Sequence, residues 1–201
     1  MFESIFILLV VFFSIVLHEI AHGGIALLLG DDTAKREGRL TLNPISHIDL
    51  IGTIILPLML LILTLGRGPV FGWAKPVPIN PFNFKNKKWG IVKVSLAGPF
   101  SNFLVALLFS FLAGLNLPKN TTLFFEIIAV YNFAWAFFNL LPLFPLDGYH
   151  ILYHLLPERF YQLKRFLFQY SLFILFFIVF FGLEPIFSFS RFLFQLISNL
   201  R

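Results

Sequence analysis

Residues 4–29 form an apolar run long enough to cross a bilayer as one helix, yet His18-Glu19-Ile20-Ala21-His22 sits inside it. Ionisable groups in hydrocarbon are costly, so three of them together there point to function. On a helix, residues four apart share a face, and both imidazoles can then reach one metal ion. Glu19 stands next to the first histidine, where it can take a proton from water at that metal. The bland alternative is a polar cluster tying helices together. It leaves three expensive groups at metal-ligand spacing without a reason.

The rest of the chain suits a membrane setting. Of its 201 residues, 58% are hydrophobic and only 12% charged, against about 25% charged in a soluble domain. The 29 phenylalanines fit a lipid-facing surface. Cysteine is absent, which excludes disulfides, thiolate zinc ligands and a thiol nucleophile. Met1-Phe2-Glu3 lacks a basic start, so the first run reads as a retained span and not a cleavable signal. The net charge of +5 is not read as a nucleic-acid footprint. The basic residues fall in short loops between apolar runs, where they set orientation. Three lie at 35–39, six at 67–93 and three at 159–165.

Further spans are expected over 94–115, 121–141 and 166–183, with 186–200 as an interfacial helix. If all three basic loops are cytoplasmic, residues 50–65 have both flanks inside. Pro57 at the centre of that run then suits a re-entrant hairpin, the alternative being an ordinary span that would put the loop with six basic residues outside. Residues 66–92, with Pro69, Pro76, Pro78 and Pro81, read as an irregular surface segment, and 38–44 as a short strand and turn. The expected fold is an all-α polytopic membrane protein: a helical bundle of about four full spans plus the re-entrant hairpin, with a small β element after the first helix. One membrane-embedded domain covers 1–201, with a core at 1–157 and a C-terminal span and interfacial helix at 158–201.

This topology also gathers chemistry. The end of the first helix, the start of the 94–115 span and the end of the 121–141 span approach one side of the membrane. Pro142 and Pro145 stop the last of these, so Asp147 can fold back towards the histidines. His18, His22 and Asp147 then form a three-ligand set with a fourth position open to water, as a catalytic zinc requires. Position alone would equally make Asp147 a helix N-cap. His150 and His154 are also four apart, but lack a glutamate after the first histidine and read as an interfacial pair. His47 reads either as lining the site or as a surface residue.

Several motifs resemble the site-2 protease family of intramembrane zinc metalloproteases. His18 through His22 matches its first motif, and Asn139 through Gly148 its second, Asn-x-x-Pro followed by Leu-Asp-Gly. Ala97-Gly98-Pro99-Phe100-Ser101-Asn102 matches a third. Gly72 through Pro78 and Asn43 through His47 look like segments of the compact prokaryotic members, which lack PDZ and CBS domains. The resemblance implies one Zn2+ held by His18, His22 and Asp147, with Glu19 as general base. It implies that Asn139 contacts the substrate backbone and that Asn102 supports the site from the adjacent helix. The implied activity is hydrolysis of peptide bonds in transmembrane segments of other membrane proteins, commonly in regulated intramembrane proteolysis. The implied partners are a membrane-protein substrate and the lipid bilayer, with no nucleic acid. The implied setting is a prokaryotic inner or plasma membrane, with the site open to the cytoplasm. One departure is Tyr149-His150 after Asp147-Gly148, where many relatives carry a small residue.

Two other classes compete. A di-iron oxidase built on histidine boxes needs more than the five histidines present, and gives Glu19 no duty. A transporter or scaffold would leave the His-Glu-His cluster idle, and no repeated pair of broken helices supports transport. For proteolysis, a transmembrane substrate must first be unwound, and the alternation Leu40-Thr41-Leu42 suggests an edge strand over 38–43 to hold it.

Overall fold

The computed structural model describes residues 2–65, 72–115 and 117–199. The helices are α1 (Phe2–Leu28), α2 (Thr33–Arg36), α3 (Leu56–Leu63), α4 (Lys87–Ala113), α5 (Lys119–Asn139), α6 (Asp147–Leu155), α7 (Tyr161–Phe177) and α8 (Leu183–Ser198). Four helical stretches are long and apolar enough to cross a membrane: Ile5–Leu28, α4, α5 and Glu158–Ser198.

The central helix is α4, which packs against α1, α5, α6 and α8. Its buried residues include Gly98, Asn102, Ala106 and Ser110, a stripe of small and polar side chains at intervals of four. Phe100, Leu104, Leu108 and Phe111 face outwards and are exposed. This is the pattern of a membrane bundle: small residues let backbones approach closely, and bulky apolar ones meet lipid. Against the far end of α4, Phe194 of α8 packs on Ala113, Ala129 and Val130.

One expectation needs correction. No strand occurs among the described residues, and 38–43 is irregular. Several of its polar groups bond locally. Asn43 N–H donates to Thr41 Oγ1, Ile45 N–H donates to Asn43 Oδ1, and Thr41 O accepts from His47 Nε2. Side-chain bonds of this kind compete with a ladder, so an edge strand at 38–43 has no basis. The helix expected at 186–200 is α8, packed on α4 and α5 with Ser190 and Phe194 buried. A π-helical turn over Ile178–Gly182 joins it to α7.

Helix covers Leu50–Leu63, starting as a π turn over Leu50–Ile55. At ~1.5 Å per residue it reaches about 20 Å, short of the ~30 Å hydrocarbon core. Trp73 N–H donates to Gly52 O (3.1 Å) and Thr53 Oγ1 donates to Trp73 O (2.8 Å), so Trp73 lies beside the start of this helix. Pro57 lies in the first turn of α3 and does not break the helix. Arg67 and Pro69 of the expected irregular segment lie outside the described residues.

From Gly72 the chain runs without helix to Asn80. Alternate amides at 73, 75 and 77 each find an acceptor, in Gly52 O, His47 O and Glu19 Oε2. That period of two marks an extended backbone. Pro76 and Pro78 remove the amides on either side of Val77.

A buried latch ties this region to the end of α1. Asp31 is fully buried. Its Oδ1 accepts from Thr33 N–H, Thr33 Oγ1 and Asn83 Nδ2, and its Oδ2 accepts from Asn80 N–H.

Candidate metal centre

α1 brings His18 and His22 to one face, and α6 begins on Asp147. Asp147 Oδ2 lies 3.0 Å from His18 Nε2 and 3.3 Å from His22 Nε2. Two tight approaches hold it there. A Cβ on Gly148 would stand 2.2 Å from Leu140 O, so only glycine lets the start of α6 press on the end of α5. A Cβ on Gly98 would stand 2.4 Å from His22 Nε2 and 2.5 Å from His18 Nε2. The bare α-carbon of Gly98 therefore keeps open the space beside both nitrogens.

Hydrogen bonds fix both tautomers. Asn102 Nδ2 donates to Ser14 O (3.0 Å) and to Asn132 Oδ1 (2.9 Å), which orients the Asn102 amide. Its Oδ1 then accepts from His18 Nδ1 at 2.7 Å. His22 Nδ1 donates to Val94 O, also at 2.7 Å. Each neutral ring thus carries its proton on Nδ1 and turns an Nε2 lone pair towards Asp147. Pro99 removes the amide that would bond Ser95 O in this part of α4.

With both rings neutral, two lone pairs and a carboxylate oxygen converge on one point. Asp147 Oδ2 is buried and makes no hydrogen bond. Such a triad repels itself unless a cation fills the centre. Tetrahedral zinc with bonds of about 2.0–2.1 Å to nitrogen and oxygen separates its ligands by roughly 3.3 Å, which matches the distances here. Among the described residues, these three are the only group of three or more His, Asp or Glu placed to share one metal ion. The donors, their tautomers and the cradle beside Gly98 fit zinc with a fourth position open.

Glu19 lines a cavity of about 530 Å3 together with His22, Val77, Ser95 and Asp147. Its Oε2 accepts from Val77 N–H at 2.8 Å. His150 and His154, expected at an interface, line the same cavity. His47 neither lines the site nor reaches the surface: it is fully buried, with Nε2 donating to Thr41 O. Asn139 is buried at the end of α5, and its Nδ2 donates to Trp135 O. Asn132 is the member that reading the sequence missed. An amide in mid-span on α5 was itself the available signal. The Val94 carbonyl and the Val77 amide left no such trace.

The fold and the centre define a class: a polytopic helical membrane protein with two histidines and one carboxylate placed to hold a metal ion. A family model described as Peptidase family M50 matches residues 114–182. The chain is 44% identical over 154 residues to "Putative zinc metalloprotease YwhC" of Bacillus subtilis (strain 168), covering 72% of this chain and 66% of that protein. It is 32% identical over 163 residues to "Putative zinc metalloprotease Rip2" of Mycolicibacterium smegmatis (strain ATCC 700084 / mc(2)155), covering 78% and 61%. The chain thus spans just under two thirds of the length of these relatives. No solved structure matches it. The chain belongs to peptidase family M50, the site-2 protease family.

Proposed function

We propose that this protein is a zinc metalloendopeptidase that hydrolyses peptide bonds in transmembrane segments of other membrane proteins, in regulated intramembrane proteolysis. His18, His22 and Asp147 are its metal ligands and Glu19 its general base. The observation that carries the reading is the convergence of both Nε2 lone pairs on Asp147 Oδ2, at 3.0 and 3.3 Å, beside a glutamate that faces the same cavity. The names of the two relatives support the same chemistry.

A zinc ion held by these groups supplies Lewis-acid polarisation of a carbonyl and lowers the pKa of water towards neutrality. The protein's own residues do the rest. Asn102 and the Val94 carbonyl hold the imidazoles in the ligating tautomer. Val77 N–H fixes Glu19 Oε2, which leaves Oε1 to take a proton from water and pass it to the leaving nitrogen. Asn139, at the mouth of the loop that carries Asp147, is the residue we assign to the substrate backbone. The basic residues Lys35, Arg36, Lys85, Lys87, Lys88, Arg159 and Arg165 flank the ends of α1, α4 and α7 nearest the cavity. They support a site open to the cytoplasm of a prokaryotic cell.

The test uses purified protein reconstituted with a panel of single-pass membrane proteins. Wild type is expected to bind zinc and cut at least one of them. Glu19→Gln is expected to keep its zinc and lose turnover by about 100-fold or more. Cleavage by Glu19→Gln at the wild-type rate would remove the base assignment, and a zinc-loaded wild type that cuts no member would count against the substrate class.

A further inference from the structure

Arg39 is buried and forms no ion pair among the described residues. A guanidinium taken out of water without a carboxylate needs other compensation. Here it comes from two successive backbone carbonyls: Arg39 Nη2 donates to Lys75 O at 2.8 Å and to Pro76 O at 3.3 Å. The second carbonyl belongs to the peptide unit whose nitrogen is that of Val77, and that N–H donates to Glu19 Oε2 at 2.8 Å. One amide plane therefore lies between a cation and the glutamate. In a trans peptide the oxygen and the hydrogen point to opposite sides, so Arg39 pulls on one end while Glu19 takes the other.

We propose that Arg39 is a positioning residue for Glu19, acting through the Pro76–Val77 amide. The inference rests on Glu19 being the base. A guanidinium on the carbonyl polarises the amide and strengthens the bond its N–H makes, because hydrogen bonds in series reinforce one another. The local sequence isolates this path. Pro76 and Pro78 have no amide hydrogen, so Val77 N–H is the single donor between Lys75 and Ile79. The strip is also fixed from its other neighbour, since Lys75 N–H donates to His47 O at 2.9 Å. Arg39 itself is anchored by its own N–H to Ala34 O, at 2.9 Å. The arginine thus reaches from the loop after α2, across the extended strip, to a carboxylate on α1.

Three variants test it: Arg39→Met, Arg39→Lys, and Val77→Pro, which deletes the Val77 donor within a strip already flanked by prolines. Each is assayed zinc-loaded on the fastest-cut member of the substrate panel. Loss of a hydrogen bond to a charged group is expected to lower kcat by about 10- to 100-fold, with KM and zinc content unchanged. Arg39→Lys, which still offers a cation to one carbonyl, should recover part of the loss. The double variant Arg39→Met with Val77→Pro should be no slower than the slower single, because both break one path. A metal-free readout runs in parallel. In protein labelled with 15N-valine, the Val77 amide proton should move upfield in Arg39→Met and in Glu19→Gln alike. Additive losses in the double variant, or a Val77 resonance indifferent to Arg39, would overturn the proposal. If Arg39→Met does not fold, Arg39→Lys and Val77→Pro carry the same comparison. The underlying assignment fails separately, through a Glu19→Gln variant that still cuts.

Discussion

Asp31 and Asp147 are two carboxylates packed against the second half of α1 and its end, and they are satisfied in opposite ways. Asp31 accepts four hydrogen bonds, from Thr33, Asn80 and Asn83. Asp147 turns a buried Oδ2 towards two imidazole nitrogens that carry no hydrogen when both rings are neutral. The first environment is complete without anything added, and the second is complete only around a cation. Burial alone would not separate a structural carboxylate from a ligand; counting the donors aimed at it does.

The sharpest way to break this contrast is to make both aspartates neutral. Asp147→Asn is expected to take zinc occupancy from full to none by elemental analysis, while the metal-free protein melts no lower than metal-free wild type, since an amide can donate to the Nε2 lone pairs. Asp31→Ala is expected to do the reverse. It strands several donors and should destabilise the fold by about 3 kcal/mol or more in denaturant titration, with zinc stoichiometry of the folded fraction intact. A metal-free Asp147→Asn as unstable as Asp31→Ala would erase the distinction.

A smaller effect is expected from the shell around the ligands. Asn132→Val removes the acceptor for Asn102 and should weaken zinc binding by about tenfold in chelator competition, since partners of this kind are worth about 10- to 100-fold. An unchanged affinity would mean that Ser14 O alone orients Asn102.

The smallest effect is a pH dependence. Burial pushes the Asp31 carboxyl up, but the hydrogen bonds from Thr33, Asn80 and Asn83 outweigh it and hold it below the usual carboxylate value of 3.8. A group depressed in the folded state contributes stability that is present above its unfolded value and is lost as pH falls through its folded one. The melting temperature of wild type should therefore drop below about pH 4, and Asp31→Asn should lack that part of the drop.

Much of the centre was legible because its parts are expensive. His18, Glu19 and His22 stand out in hydrocarbon, and Asp147 stands out after two prolines that end a span. Helix α1 and the helices over 94–115 and 121–141 follow from apolar length alone. Two kinds of feature escaped. The first is pairing that depends on partners far along the chain: alternation at 40–42 looked like a strand, but Thr41 and Asn43 had local hydrogen bonds to make, and no neighbouring strand was there to compete. The second is packing among apolar surfaces. Phe187, Arg191 and Phe194 give α8 a mixed face that suits an interface, and only the small residues of α4 and α5 around Ala113 and Ala129 reveal where Phe194 goes. Asn132 belongs to neither kind, since it was visible as a lone amide within a span.

The bond from His22 to the carbonyl of Val94 has an implication for anyone mapping this protein by mutagenesis. The acceptor belongs to the main chain, so every amino acid at position 94 supplies it. A side-chain scan would report residue 94 as dispensable even though its oxygen sets the proton on His22. Only a change to the chain itself, such as an ester in place of the amide that follows Val94, would expose that dependence.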